Sequence, residues 1–237
     1  MTKVRIVMGL AALVAAYGLF LAIAAPPEAV QRTYARILHI HAPSAWLAFL
    51  AFFVTAFGSF MWRIRRHLVW DRLAASSAEI GVLFTGLALV TGMIWGKPVW
   101  GVYFDWADAR MASTALMFLV YLGYLALRRA TPDPQLRAAR ASILGIVAVV
   151  QVPLVYFSVN LVRTLHQTPT IRPGGSPIHP AMLQALMVNL AAFTLIYIAL
   201  LMGRMVVGRL EEEAASSFEP VAGAAVLPPR LDGAVDV

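Results

Sequence analysis

Polar residues along this chain of 237 residues fall into short clusters, and the stretches between them are apolar. A helix needs about 20 apolar residues to cross the hydrocarbon of a bilayer. Six runs qualify as spans: Ile6 to Ala25, Ser44 to Met61, Ile80 to Ile94, Met111 to Leu127, Ala141 to Val162 and Ala181 to Gly203. They predict an all-α integral membrane protein of six transmembrane helices. Residues 1–203 form the membrane domain, and residues 204–237, rich in Glu, Ala, Ser and Pro, read as a disordered cytoplasmic tail.

Local signals refine the ends of these elements. The first run resembles a signal peptide at Ala22-Ile23-Ala24, but its apolar length exceeds a typical h-region, so it reads as a retained span. Pro43 is expected at the start of the second helix, where its missing donor is harmless. Ser76 and Glu79 have the spacing of a capping box, which would start the third helix there and make Glu79 a cap. Pro153 should kink the fifth.

Lys and Arg set the orientation. The N-terminus, the second and fourth loops and the start of the tail carry twelve of them, against six in the other three loops. Excess positive charge marks the cytoplasmic side, so both termini are expected there. Four of the five histidines, His39, His41, His166 and His179, then share the outer face, and His67 lies in a solvated basic loop.

Between the third and fourth spans the outer face also carries Trp95 to Arg110, with three Trp, a Tyr and a Phe beside two Asp, a Lys and an Arg. Its two Gly and a Pro argue against a regular helix in the first half. Aromatic rings collect at membrane interfaces in any case. The same density also suits a flat apolar ligand with polar ends.

Composition narrows the chemistry. Hydrophobic residues make up 60% and charged ones 13%, too few to coat a soluble domain. The net charge of +7 lies in loop clusters that set topology, so membrane lipid and not nucleic acid is the expected surroundings. Cysteine is absent, which excludes disulfides, thiolate metal sites and thiol transfer.

Two imidazoles from different segments can approach one iron from opposite sides, as haem requires. A porphyrin would lie against Trp95, Trp100, Tyr103, Phe104 or Trp106 and turn its carboxylates to Lys97, Arg110 or Arg163. A zinc site would need three or four convergent ligands, and no such spacing occurs. On residue chemistry alone, a planar cofactor and simple interface anchoring both fit.

Three motifs carry a resemblance. Trp95-Gly-Lys-Pro-Val-Trp-Gly, continuing to Trp106-Ala-Asp-Ala-Arg, is similar to the tryptophan-rich WWD signature of haem-handling proteins of cytochrome c maturation. Leu38-His-Ile-His-Ala-Pro43 is similar to a His-x-Pro before the second span, and Thr164-Leu-His-Gln167 to a Thr-Leu-His-Gln after the fifth. Together, over residues 5 to 203, they resemble the haem exporter protein C (CcmC) family.

That resemblance implies His41 and His166 as axial ligands of a transiently bound haem b, over a cofactor-binding floor that includes Trp95, Lys97, Trp100, Tyr103, Trp106, Asp108 and Arg110. It implies a bacterial inner-membrane protein that presents haem to the periplasmic chaperone CcmE, with the ATP-driven transporter CcmA and CcmB as partners. Two departures stand out. Ala107 separates Trp106 from Asp108, leaving Asp105 and Asp108 as candidates for the motif Asp, and Leu161-Val162 replaces a tandem Trp.

The expected mechanism is binding and handover from a shallow, open platform, with His39, His179 and Trp46 outside the ligand set. No activated nucleophile is visible, so no enzyme is expected. The alternative is a cytochrome b-type electron-transfer subunit. A small-solute transporter would need more polar residues along its spans than Glu79, Gln151, Asn160, Gln184 and Asn189.

Overall fold

A chain in hydrocarbon can satisfy its backbone N–H and C=O groups only from within, so the apolar runs must be helical. The computed structural model describes residues 2–168, 171 and 174–217. It contains α1 (Thr2–Ala24), α2 (Leu38–Arg65), α3 (Leu68–Trp100), α4 (Ala109–Arg129), α5 (Pro134–Ala148), α6 (Gln151–Leu161) and α7 (Pro180–Ser217), with a 3-10 turn at Thr33–Ile37 leading into α2. With α5 and α6 forming one interrupted span, six segments are long and apolar enough to cross a membrane. The protein is an all-helical, multi-pass membrane protein.

Several helices outrun their expected bounds. Pro43 lies inside α2, which starts at Leu38, and Pro98 lies inside α3, which continues through the first part of the aromatic stretch. α3 also starts at Leu68, so Ser76 and Glu79 sit in mid-helix and form no capping box. Glu79 instead accepts two hydrogen bonds from Arg204 of α7, at 2.6 and 3.1 Å. α7 runs to Ser217, well past the expected boundary at 203, with Arg72 of α3 paired to its Glu212 at 2.8 Å. The rest of the expected tail, residues 218–237, lies outside the described residues.

The fifth span breaks where Pro153 acts, one turn upstream of the ring. Pro153 has no N–H to give the Val149 carbonyl, which accepts from Val152 N at 3.0 Å instead, a 3-10-type bond. α5 therefore ends at Ala148 and α6 begins at Gln151.

α2 is the centre of the bundle. It packs most extensively on α3, and also on α5 and α7, while α1 is held by α7. Small residues allow the close approach that helix pairs in membranes need. A Cβ on Gly58 of α2 would come within 2.8 Å of the Trp70 carbonyl of α3. From the middle of α2 towards its Arg65 end, Phe52 stacks on Tyr121 at 3.5 Å between ring centroids, and Asp71 of α3 holds the Arg128 guanidinium of α4 with both carboxylate oxygens. At the opposite end, around the start of α2 and the end of α3, the helices leave a cavity.

Candidate functional site

The cavity lies between α2, α3, α4 and α6 and has a volume of about 390 Å³. Small-molecule and cofactor sites are of this size. It extends past the outer rim to the buried residues Ala48, Thr85 and Met117. The expectation of a shallow platform is thus corrected: the site is a cleft whose floor lies within the helices.

His41 is in the first turn of α2 and lines the cleft. Its Nδ1 lies 3.0 Å from the Ala88 carbonyl and 3.1 Å from Thr91 Oγ1, both on α3. A carbonyl can only accept, so Nδ1 carries the proton and Nε2 keeps its lone pair. Thr91 spends its own hydroxyl proton on the Leu87 carbonyl at 2.7 Å, which leaves its oxygen free to accept. Gly92 completes this socket, because a Cβ there would stand 3.0 Å from His41 Cε1.

His166 lies in the segment after α6 and lines the same cleft. It is held by Asp108, which is 3% exposed and is the N-cap of α4. Asp108 Oδ1 accepts from the amides of Arg110 and Met111 at 3.0 and 2.9 Å, and Oδ2 from Thr164 Oγ1 and the Leu165 amide at 2.6 and 2.7 Å. The His166 Nδ1 stands 3.4 Å from Oδ1. An acceptor behind Nδ1 again assigns the lone pair to Nε2.

Electrostatics support the same protonation states. Burial alone would raise the Asp108 carboxyl, but hydrogen bonds from Thr164, Met111 and Leu165 and the nearby His166 outweigh it, and the group lies below the ordinary carboxylate value. Burial lowers His166 below the ordinary imidazole value of 6.5, and the Arg110 charge lowers it further against an opposing contribution from Asp108. His166 is therefore neutral at pH 7.

A chain of rings joins the two histidines. Centroid separations are 5.8 Å from His41 to Trp95, 6.0 Å from Trp95 to Trp100 and 4.7 Å from Trp100 to His166. Trp95 is fixed by its indole N–H, which donates to Gln31 Oε1 at 3.0 Å. Gln31, in the loop before α2, carries no mark in the sequence that would single it out.

The other sequence candidates divide. Trp95, Trp100, Tyr103 and Arg110 line the cleft with the two histidines, and Arg110 donates to the Tyr156 carbonyl at 2.8 Å. Lys97 is not on the wall; its ammonium donates to the Gly101 carbonyl and sits 5.3 Å over the Tyr103 ring. Trp106 is 73% exposed and packs edge-on against Phe104, which lines the cleft, without lining it itself.

Asp108 stands behind His166, whereas the Asp105 carboxylate accepts from the Ala107 amide in a local turn. Trp46, expected to anchor or pack, lines the cleft and donates to Thr194 of α7. His39 is buried with its ring nitrogens facing the carbonyls of Arg36 and Met182. His179 accepts from the Ala181 amide, and His67 precedes α3 as its N-cap residue.

Comparison with known proteins agrees over nearly the whole length. The sequence model of the family described as haem exporter protein C matches residues 1–218. The chain is 40% identical over 191 residues to the haem exporter protein C of Bradyrhizobium diazoefficiens, covering 80% of this chain and 72% of that protein. Identity to the proteins of the same name is 38% over 195 residues in Haemophilus influenzae (80% of this chain, 77% of that one) and 35% over 184 residues in Escherichia coli K12 (76% and 73%). An imidazole at the start of α2 and another in the segment after α6, joined by Trp95 and Trp100, thus occur in a chain that belongs to the haem exporter protein C (CcmC) family, a family of cytochrome c biogenesis.

Proposed function

We propose that this protein binds haem b between His41 and His166 on the outer face of the bacterial inner membrane, both termini being cytoplasmic, and hands it to the periplasmic chaperone CcmE. CcmA and CcmB are the transporter partners in this scheme. The observation that carries it is the matched pair of imidazoles, each with Nδ1 backed by an acceptor and Nε2 left as the coordinating nitrogen. Among the described residues, no three His, Asp or Glu side chains are grouped to hold a bare metal ion. Two imidazoles suit an iron that brings its equatorial nitrogens with it.

The residues present fit that cargo. Trp95 and Trp100 offer ring faces between the histidines, Ala45, Phe49 and Leu89 give an apolar interior, and Arg110 places a cation on the wall for a carboxylate. Haem supplies the iron, and the protein holds, orients and releases it without making or breaking a bond in the porphyrin. Ligation through nitrogen lone pairs is reversible, which suits a carrier that must let go.

The test is a handover assay. Purified protein loaded with haem is mixed with the soluble domain of the chaperone, and haem is followed by absorbance and by covalent attachment to the acceptor. Transfer is expected. Retention of haem with rapid, reversible reduction by a quinol would instead identify an electron-transfer subunit.

The Gly92 socket gives a sharper check on His41. Gly92→Ala puts a methyl within 3.0 Å of the imidazole and pushes the ring off its acceptors on α3. Disturbing such an outer contact of a ligand weakens metal affinity by about 10–100-fold. Haem titration of the variant in detergent should show this loss, with helical content unchanged by circular dichroism.

A further inference from the structure

The fifth span treats its two neighbours differently along its length. Its inner half, α5, packs on α2, α3 and α4, whereas its outer half, α6, packs on α4 and has no comparable contact with α2. The change begins after the Val149–Val150 interruption that Pro153 produces. The first turn of α6 still closes the seam between the spans, with its Val152 and Val155 in the same buried cluster as Ala48 of α2 and Met117 of α4. Above it, Trp46 on α2 and Tyr156 on α6 both line the cleft, yet are 47% and 42% exposed.

The cleft thus lies between two bodies. One is α2 with α3, which carries His41 in its socket. The other is α4 with α6 and the segment latched by Asp108, which carries His166. Arg110 ties α6 to α4 through the Tyr156 carbonyl, so α6 and the latched segment are both anchored to α4.

The geometry points to α6 as a hinged wing, with the seam between Trp46 and Tyr156 serving as a lateral portal from the outer leaflet of the bilayer into the cleft. This rests on the haem reading and assigns its route. A flat, largely apolar molecule dissolves in hydrocarbon, and a seam at membrane depth admits it sideways without exposing its faces to water. The seam is bordered by aromatic side chains, and the Trp46 indole N–H is satisfied by Thr194 of α7, which suits such a passage. Once both imidazoles coordinate, the two bodies are bridged across the seam, and loading itself holds the wing in place.

The chain has no cysteine, so Trp46→Cys with Tyr156→Cys gives one unique pair for a bifunctional thiosulfonate reagent that a reductant reverses. The full-length protein, in vesicles, is offered haem either predissolved in the bilayer or held in water by albumin, and uptake is followed by absorbance. Compared with the same double variant before cross-linking, the cross-linked protein, verified by mass spectrometry, should take up haem from the bilayer at least several-fold more slowly but from albumin at the same rate, and reduction should restore the first rate. Pro153→Ala, outside the cleft lining, returns an N–H to the Val149 carbonyl and should slow bilayer uptake in the same direction.

No slowing from the bilayer in the cross-linked protein, or equal slowing from both donors, overturns the portal. Failure of the unmodified protein to bind haem from either donor would remove the haem reading itself.

Discussion

His41→Ala and His166→Ala will each convert the haem spectrum of the purified protein from the six-coordinate, low-spin form to one with a missing axial ligand. The affinity should fall by on the order of 100-fold or more, beyond the range for outer contacts of a ligand. Each deletion removes one strong-field nitrogen but leaves the ring chain and apolar interior in place, so residual binding is expected. Added imidazole should restore the low-spin spectrum in both variants, because the space vacated lies within a cleft that reaches the outer surface. The same substitutions at His39 and His179 should leave the spectrum intact. His39 faces the carbonyls of Arg36 and Met182, and His179 serves the start of α7. Unchanged spectra in both His41→Ala and His166→Ala would sink the ligand assignment.

The spans and the gathering of histidines and aromatics on one face were legible because they follow from local rules: apolar length, and loop charge. The helix ends were not. Pro43 and Pro98 read as boundaries by rules for helices in water, but in a packed membrane bundle neighbouring groups re-satisfy the backbone they disturb. Ser76 and Glu79 had the spacing of a cap, yet Glu79 was already matched to Arg204, 125 residues away. A local motif cannot reveal a partner at that distance.

Site chemistry divided in the same way. The residue types were readable, but their depth was not. Trp106 belongs to the motif and yet faces out, whereas Trp46, on an ordinary-looking span, reaches the cleft. Which rings face inward depends on where α3 ends, and Gly101 sets that with a left-handed φ of 80°. The cleft opens beyond Val155, where α6 parts from α2, a departure that a kink expectation at Pro153 does not direct. That Asp108, and not Asp105, bonds the segment after α6 is visible only once that segment is in contact with the start of α4.

Asp108→Asn should impair haem binding almost as severely as loss of His166, although Asp108 is a positioning residue that need not touch the ligand. Its two oxygens accept from four donors and stand behind a fifth, the His166 Nδ1. Asparagine has one acceptor oxygen, and its amide would turn protons toward the donors on Thr164 and Leu165 or toward the helix start. Part of the latch must therefore open. Asparagine caps a helix start about as well as aspartate, so the cap is kept and it is the contact to the His166 segment that opens; loss of such an outer contact weakens metal affinity by about 10–100-fold.

The pH profile separates positioning from protonation. In the wild-type protein Asp108 opposes the lowering of the His166 pKa, so its removal leaves that imidazole still more strongly neutral. If the defect of Asp108→Asn were protonation of the ligand, raising the pH from 7 to 9 would repair it; if the ring is misplaced, it will not. The carboxylate's own contribution carries the opposite sign. With its folded value below the ordinary 3.8, Asp108 stabilises the fold at any pH above that value, and the contribution is lost as pH falls through the folded value. Haem titrations across this range, with thermal melts of the two proteins, decide between the accounts. Recovery of Asp108→Asn at pH 9 would mean that Asp108 acts on the proton of His166 and not on its place.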